Sequence, residues 1–139
     1  MADRILVPVD RSEQAWRALE YAFDSYPDAT LVVLHVIDPR DVVLEGDVYG
    51  ASKPIARAEA EAEDIIEEVC DLASVYETDV ETRVERGNPA SVIVATGDEP
   101  GIDHVVVGSH GRSGVTRVLL GSVAEAVVRR SSVPVTVVR

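Results

Sequence analysis

A single α/β domain built on a parallel sheet is what this sequence predicts, on three observations. Apolar runs of strand length alternate with amphipathic helical stripes from end to end, in the order βαβαβαβαβ, the pattern of parallel strands joined by crossover helices. The runs at residues 4–10 and 30–37 are almost wholly apolar, as strands buried on both faces must be. And 139 residues, 46% of them hydrophobic, make one ordinary domain, able to bury roughly 70% of its unfolded surface without disulfide or metal. No linker divides the chain, and no repeat of solenoid length runs through it.

Arg4-Ile-Leu-Val-Pro-Val-Asp10 opens the sheet. Pro8 has no N–H to give a central ladder, so it belongs at the strand's end or at a bulge. Ser12 suits an N-cap, and Ala15, Leu19, Ala22, Phe23 and Tyr26 form one face of a helix that Pro27 stops. Residues 30–37 are the second strand, and residues 38–52, with Pro39, Gly46 and Gly50 among acids, read as a mobile loop. Ser52-Lys53-Pro54 opens the longest helix. Its stripe of Ile55, Ala58, Ala62, Ile65, Val69, Leu72 and Tyr76 advances by threes and fours along the face toward the sheet. Val80, Thr82 and Val84 alternate with charged neighbours, as in a half-buried edge strand. Asn88 and Pro89 supply the N-cap and first position of a short helix through Val92, Ile93 and Ala95 that ends near Gly97 or Pro100. Residues 104–108 form the fourth strand. Ser122 caps a helix through Val123, Ala126, Val127 and Arg130, and residues 133–138 form the fifth strand.

Composition excludes several classes of function. The longest apolar run, residues 31–37, falls far short of the ~20 residues a membrane helix needs. No basic-then-apolar leader opens the chain, so a cytoplasmic protein is expected. Cys70 has no second cysteine to pair with, and no Cys/His cluster suggests zinc. Twenty-five acids against 13 bases, a net charge of −12, argue against nucleic acid or an anionic membrane as partner. Twelve of those bases are arginine; acid excess with almost no lysine is what a halophilic, salt-adapted setting produces, since carboxylates keep a surface hydrated. The charge is also uneven, with residues 108–139 carrying +4 and the rest −16. A basic island in so acidic a chain points to an anion that belongs there. Cations at a helix C-terminus account for Arg129 and Arg130 but not for Arg112 and Arg117.

Familiar catalytic and phosphate-binding signatures are absent. Lys53 precedes Pro54 rather than following a glycine loop, no two glycines stand at i and i+2, and there is no Gly-x-Ser-x-Gly elbow. What remains is Gly108-Ser-His-Gly111-Arg-Ser-Gly114, followed after residues 115–120 by Gly121-Ser122-Val123. Glycine lets backbone amides approach a ligand with no Cβ in the way. The first amides of a helix lack intrahelical partners and carry the positive end of its dipole. Loop amides, helix terminus and the Ser122 hydroxyl together make a phosphate cradle that needs no lysine. Asp10, at the end of the neighbouring strand, can accept from ribose hydroxyls.

The spacing Gly108-x2-Gly111-x9-Gly121-Ser122 resembles the ATP-binding motif of the universal stress protein family. So do residues 5–10 with Ser12-Glu13 after them, Leu34-His-Val-Ile37, Gly87-Asn-Pro89 and Gly121-Ser-Val-Ala-Glu125 before Val133-Pro-Val-Thr-Val137. The resemblance spans the whole chain. It implies a three-layer Rossmann-like fold of the adenine nucleotide alpha hydrolase-like kind, five parallel strands in the order 3-2-1-4-5 and ATP held between strands one and four. It also implies a homodimer joined through the last strand, residues 133–138. Carried over residue by residue, Pro8, Val9 and Asp10 would meet adenine and ribose, and Val36 would line the adenine pocket. Gly108, His110, Gly111, Arg112, Gly121, Ser122 and Val123 would surround ribose and phosphates. A divalent cation, Mg2+ or Mn2+, would be held largely by the phosphates, so no protein ligand is assigned to it.

Other residues receive plainer readings. His35 lies in a buried strand and reads as a satisfied core histidine, Cys70 as a small core residue, and His104 takes no role. Thr136 and the valines around it make an apolar sheet edge that invites aggregation unless paired, and pairing with its own copy across a two-fold axis satisfies both ladders. The expected function is an ATP- or AMP-binding regulator whose output is a nucleotide-dependent conformation, with residues 38–52 ordering on binding. No general base is legible, so any ATP hydrolysis is expected to be slow. The alternative is a dimeric scaffold of the same fold that binds no nucleotide.

Overall fold

Strands and helices alternate as β1 (Arg4–Pro8), α1 (Glu13–Ser25), β2 (Thr30–Ile37), α2 (Pro39–Gly46), α3 (Ile55–Tyr76), β3 (Val80–Arg86), α4 (Pro89–Gly97), β4 (His104–Gly108), α5 (Ser122–Arg130) and β5 (Val135–Val138). The computed structural model describes residues 3–46, 55–109 and 120–139. All five strands are parallel and lie in the order β3-β2-β1-β4-β5, as expected. In β1, β2 and β4 apolar residues succeed one another, broken inside a strand only by His35 of β2, because both faces are covered. Ile5, Val7, Leu31, Val33 and Val106 pack with the apolar faces of α1 and α3. Leu6, Val32, Leu34, Val105 and Val107 pack with α4 and α5 on the other side. Ile5, Leu6, Leu31 and Leu34 have no exposed surface, and each such side chain contributes about 1.5–3 kcal/mol by leaving water.

Local chemistry starts and stops the helices much as the sequence suggests. The Ser12 hydroxyl accepts the Ala15 N–H at 3.2 Å, and α1 ends at Tyr26, immediately before Pro27. Asn88 Oδ1 accepts the Ser91 N–H at 3.0 Å, with Pro89 as the first residue of α4. Pro8 closes β1, where it pairs with Leu34. Among the described residues β3 pairs with β2 alone, the edge position that its alternating sequence predicts.

Three expectations require correction. Within residues 38–52, read as a loop, Pro39–Gly46 is a helix; residues 47–52 lie outside the described residues. Asp38 caps α2 through its Oδ1, which accepts the Arg40 N–H at 2.9 Å, and Val42 packs against Ile37, Ala58 and Ala62. Ile55, counted in the sheet-facing stripe, is 52% exposed. Its helix of 22 residues is about 33 Å long, whereas the longest strand, of 8 residues, spans about 26 Å, so the first turn overhangs the sheet. Cys70 is exposed rather than in the core. The buried stripe is as narrow as Ala62, Ile65, Val69 and Ala73, and one residue beyond Val69 is already on the solvent side.

Candidate functional site

Because the helices of the sheet follow their strands, the N-termini of α1, α2, α4 and α5 gather at one end, the carboxyl end of the strands. The chain turns to opposite faces of the sheet after β1 and β4, with α1 in one core cluster and α5 in the other. Adjacent parallel strands with crossovers on opposite faces leave a crevice between them. Here it is a cleft of about 1170 Å³ over the ends of β1, β2 and β4, walled by the first turns of α1, α4 and α5 and by Ala58, Glu61 and Ile65 of α3.

Of the candidate residues, Pro8, Val9, Asp10, Val36, Gly108, Gly121, Ser122 and Val123 all line this one cleft. His110, Gly111 and Arg112 lie outside the described residues. Val9 is buried at the cleft floor, its N–H donating to the Leu34 carbonyl at 2.8 Å. Asp10 is exposed, and its Oδ1 accepts the Ser12 N–H at 2.7 Å. Oδ2 of Asp10 has no partner among the described residues. Asp10 thus shapes the turn into α1 and still presents an acceptor to the cleft. Gly108 is buried between β4 and α1: a Cβ there would stand 2.7 Å from the backbone carbonyl carbon of Gln14 and 2.9 Å from the Ala15 nitrogen. Its missing side chain makes room for the first turn of α1, a packing reason additional to any approach by a ligand.

Around α5 the geometry differs from the expected cap. Gly121, not Ser122, is the N-cap, with extended φ and ψ of −66° and 161° and no side-chain hydrogen bond. Ser122 is therefore the first helical residue and is exposed. The Gly121 N–H donates to the Ser109 carbonyl at 2.7 Å, and the Ser109 N–H donates to Val138 at 2.7 Å. The two ends of the intervening segment are thereby tied together at the mouth of the cleft. One leading N–H of α1, that of Ala15, is taken by the Ser12 cap and one of α4, that of Ser91, by the Asn88 cap, whereas the cap of α5, Gly121, has no side chain to offer. Arg129 and Arg130 sit in the last turn of α5, at the end opposite the cleft, where they complement the dipole.

Several cleft residues received no such role from the sequence. His35 is satisfied, its Nδ1 donating to the Val9 carbonyl at 2.9 Å, but it is half-buried on the cleft wall rather than in the core. Asp38 is 7% exposed and pairs with Arg40, whose guanidinium remains largely in solvent. The hydrogen bond and charge of Asp38 raise the Arg40 pKa above its ordinary value, so this arginine stays cationic. The signal for this pair was present in Asp38-Pro39, a cap followed by proline at the first helical position. Arg11, the other arginine among the described lining residues, pairs with Glu68 at 3.1 Å.

Fold and cleft define an α/β domain with a cleft at the switch point of a parallel sheet. The universal stress protein family profile matches residues 1–139, and the chain belongs to that family. Universal stress protein MJ0577 of Methanocaldococcus jannaschii is 32% identical over 100% of this chain and 96% of its own length. Universal stress protein YxiE of Bacillus subtilis is 34% identical over the whole of both chains. The solved structure of MJ0577 has a TM-score of 0.85 at 30% identity, covering 99% of this chain and 96% of that one. A universal stress protein solved in complex with cAMP has a TM-score of 0.72 at 29% identity, covering 99% and 97%. No helix among the described residues is long and apolar enough to cross a membrane.

Proposed function

We propose that the cleft binds ATP and that the protein is a nucleotide-dependent regulator of a stress response. The observation that carries this reading is the N-terminus of α5, which lines the cleft and has a glycine as its cap, so that no cap side chain lies over its leading amides. Such a terminus attracts phosphate through both its N–H groups and its dipole. In this reading Val9 and Val36 meet the base beside Pro8, and Asp10 accepts from the ribose. Gly108, His110, Gly111, Arg112, Gly121, Ser122 and Val123 surround ribose and phosphates. That a relative 29% identical was solved with cAMP supports an adenosine nucleotide as the ligand class.

Asp10, Glu13, Asp38, Asp41 and Glu61 also line the cleft, so a triphosphate enters most readily with its charge reduced by a divalent cation. Among the described residues no group of three or more His, Cys, Asp or Glu is placed to hold a metal. Mg2+ or Mn2+ would therefore come with the phosphates. We further propose a homodimer through residues 133–138: among the described residues β5 pairs with β4 alone, and its four residues remain half-buried, an edge that a second copy would satisfy.

The test is calorimetric titration with magnesium ATP beside the variant Gly121→Val. Valine accepts the φ and ψ of Gly121 and keeps its N–H for Ser109, so the variant is expected to melt like the wild type while losing ATP binding. Wild-type protein that is native yet shows no saturation at millimolar nucleotide would overturn the reading. A Gly121→Val protein that binds as well as wild type would overturn the site.

A further inference from the structure

We infer that Arg40 recognises the base in this cleft, as a planar cation that Asp38 holds ready to lie against a purine ring. The inference rests on the nucleotide reading and adds a contact that none of the residues named there supplies. β2, β1 and β4 are neighbours in the sheet, and neighbouring strands lie about 4.8 Å apart, so the end of β2 is about 10 Å from the end of β4, where α5 begins. A nucleotide with its phosphates at α5 and its ribose at Asp10 extends its base over the end of β2. There the wall is formed by Val36, Asp38 and Arg40.

The arginine at that end is unusually well held for one so exposed. Its Nε donates to both carboxylate oxygens of Asp38 at 3.3 Å and its Nη2 to Oδ2 at 2.9 Å, while its backbone N–H donates to Oδ1 at 2.9 Å. The Asp38 side chain is 6% exposed and that of Arg40 is 73% exposed. One edge of the guanidinium is thus fixed against a buried carboxylate at the start of α2. Its faces and Nη1, which has no partner among the described residues, are left to a ligand. Arginine stacks through such a face on aromatic rings, and its remaining N–H groups suit acceptor nitrogens on a purine edge. The distance from α5 removes it from the phosphates, so the expected partner is the base.

Wild type, Arg40→Ala and Arg40→Lys are titrated with ATP and with AMP by calorimetry, after melting curves establish that each is folded. Arg40→Ala is expected to bind both nucleotides about tenfold more weakly, and by the same factor, because both carry the same base. Arg40→Lys keeps the charge but not the plane and is expected to recover little of the loss. Unchanged affinity in Arg40→Ala overturns the inference while leaving the nucleotide reading in place. So does a loss that grows from AMP to ATP, which would put Arg40 on the phosphates, or full rescue by lysine, which would reduce it to a point charge. A wild-type protein that binds neither nucleotide overturns the nucleotide reading, and this inference with it.

Discussion

Replacing Gly108 with alanine separates two reasons for a glycine at the end of β4. If glycine serves only a ligand, the added methyl costs binding and leaves stability alone. The geometry says otherwise, because the Cβ would lie 2.7 Å from the carbonyl carbon of Gln14, 2.8 Å from its oxygen and 2.9 Å from the nitrogen of Ala15. Carbon atoms in ordinary contact are about 3.5–4.0 Å apart, so something must give by nearly an ångström. The obstacle is backbone in the first turn of α1, held in place by the Ser12 cap and by the buried Ala15 and Ala18, and no rotamer change can relieve it. Overpacking of this kind costs about 1–3 kcal/mol. In a domain of this length that lowers the melting temperature by about 4–12 °C, and it moves a urea midpoint by about 0.5–1.5 M with unchanged slope. Binding is expected to weaken as well, because displacing α1 displaces Asp10 and the turn after it. Loss of nucleotide affinity with an unmoved urea midpoint would refute the packing account.

Other perturbations probe the frame around the cleft. Glu77 closes α3 at a φ of 53°, with its N–H bonded to Ser74 and that of Thr78 to Ala73; Glu77→Gly is expected to stabilise the fold by about 0.5–1 kcal/mol in urea melts, and Glu77→Ala to bring no gain. Acid should weaken the fold in two windows. Burial lowers the His104 pKa, opposed by Asp3, so the unfolded chain takes up the proton first and stability falls as pH drops below about 6.5 toward the folded value. Hydrogen bonds from Arg4 and then Arg83 lower the Glu81 pKa. Its contribution is therefore complete above about pH 4.3 and is lost as pH falls through the folded value. Urea midpoints against pH should lose the upper window in His104→Gln and the lower one in Glu81→Gln. Finally, a chain of net charge −12 is expected to melt at higher temperature in about 2 M KCl than in about 0.1 M, since salt screens its self-repulsion. A melting temperature indifferent to salt would contradict the salt-adapted reading.

The centre of the sheet was legible because a strand buried on both faces must be apolar at nearly every position, so its composition marks it. Leu31, Val32, Val33 and Leu34 have no exposed surface at all. Helices were legible where a cap and a long stripe agree. Asn88-Pro89 reads as a helix start, yet Asp38-Pro39 carries the same signal inside a segment that reads as a loop. The two differ in the residues after the proline. Val42-Val43-Leu44 is an unbroken apolar triplet that fits neither helical nor strand spacing, and Gly46 ends the element before a period can be counted. Ile55 and Cys70 depart from expectation for another reason. Periodicity gives the direction of a buried face, but neither its width nor the point at which a long helix overruns its sheet.

For the cleft, glycine spacing and the strand ends pointed to residues that line one cleft wherever they are described, since a parallel sheet brings every strand-to-helix junction to one side. What spacing could not supply is the chemistry of each junction. Gly121-Ser122 can be read with either residue as the cap, and the two alternatives differ in consequence. A serine at the cap folds its oxygen back onto the leading amides of the helix, as Ser12 does in α1, and so competes with any anion. A glycine there has no side chain to compete for those amides and puts the serine hydroxyl one position further on, exposed at the rim. The shift of one residue, invisible in the letters, makes α5 the one among these three helices whose cap places no side chain over its leading amides, the property on which the phosphate proposal rests.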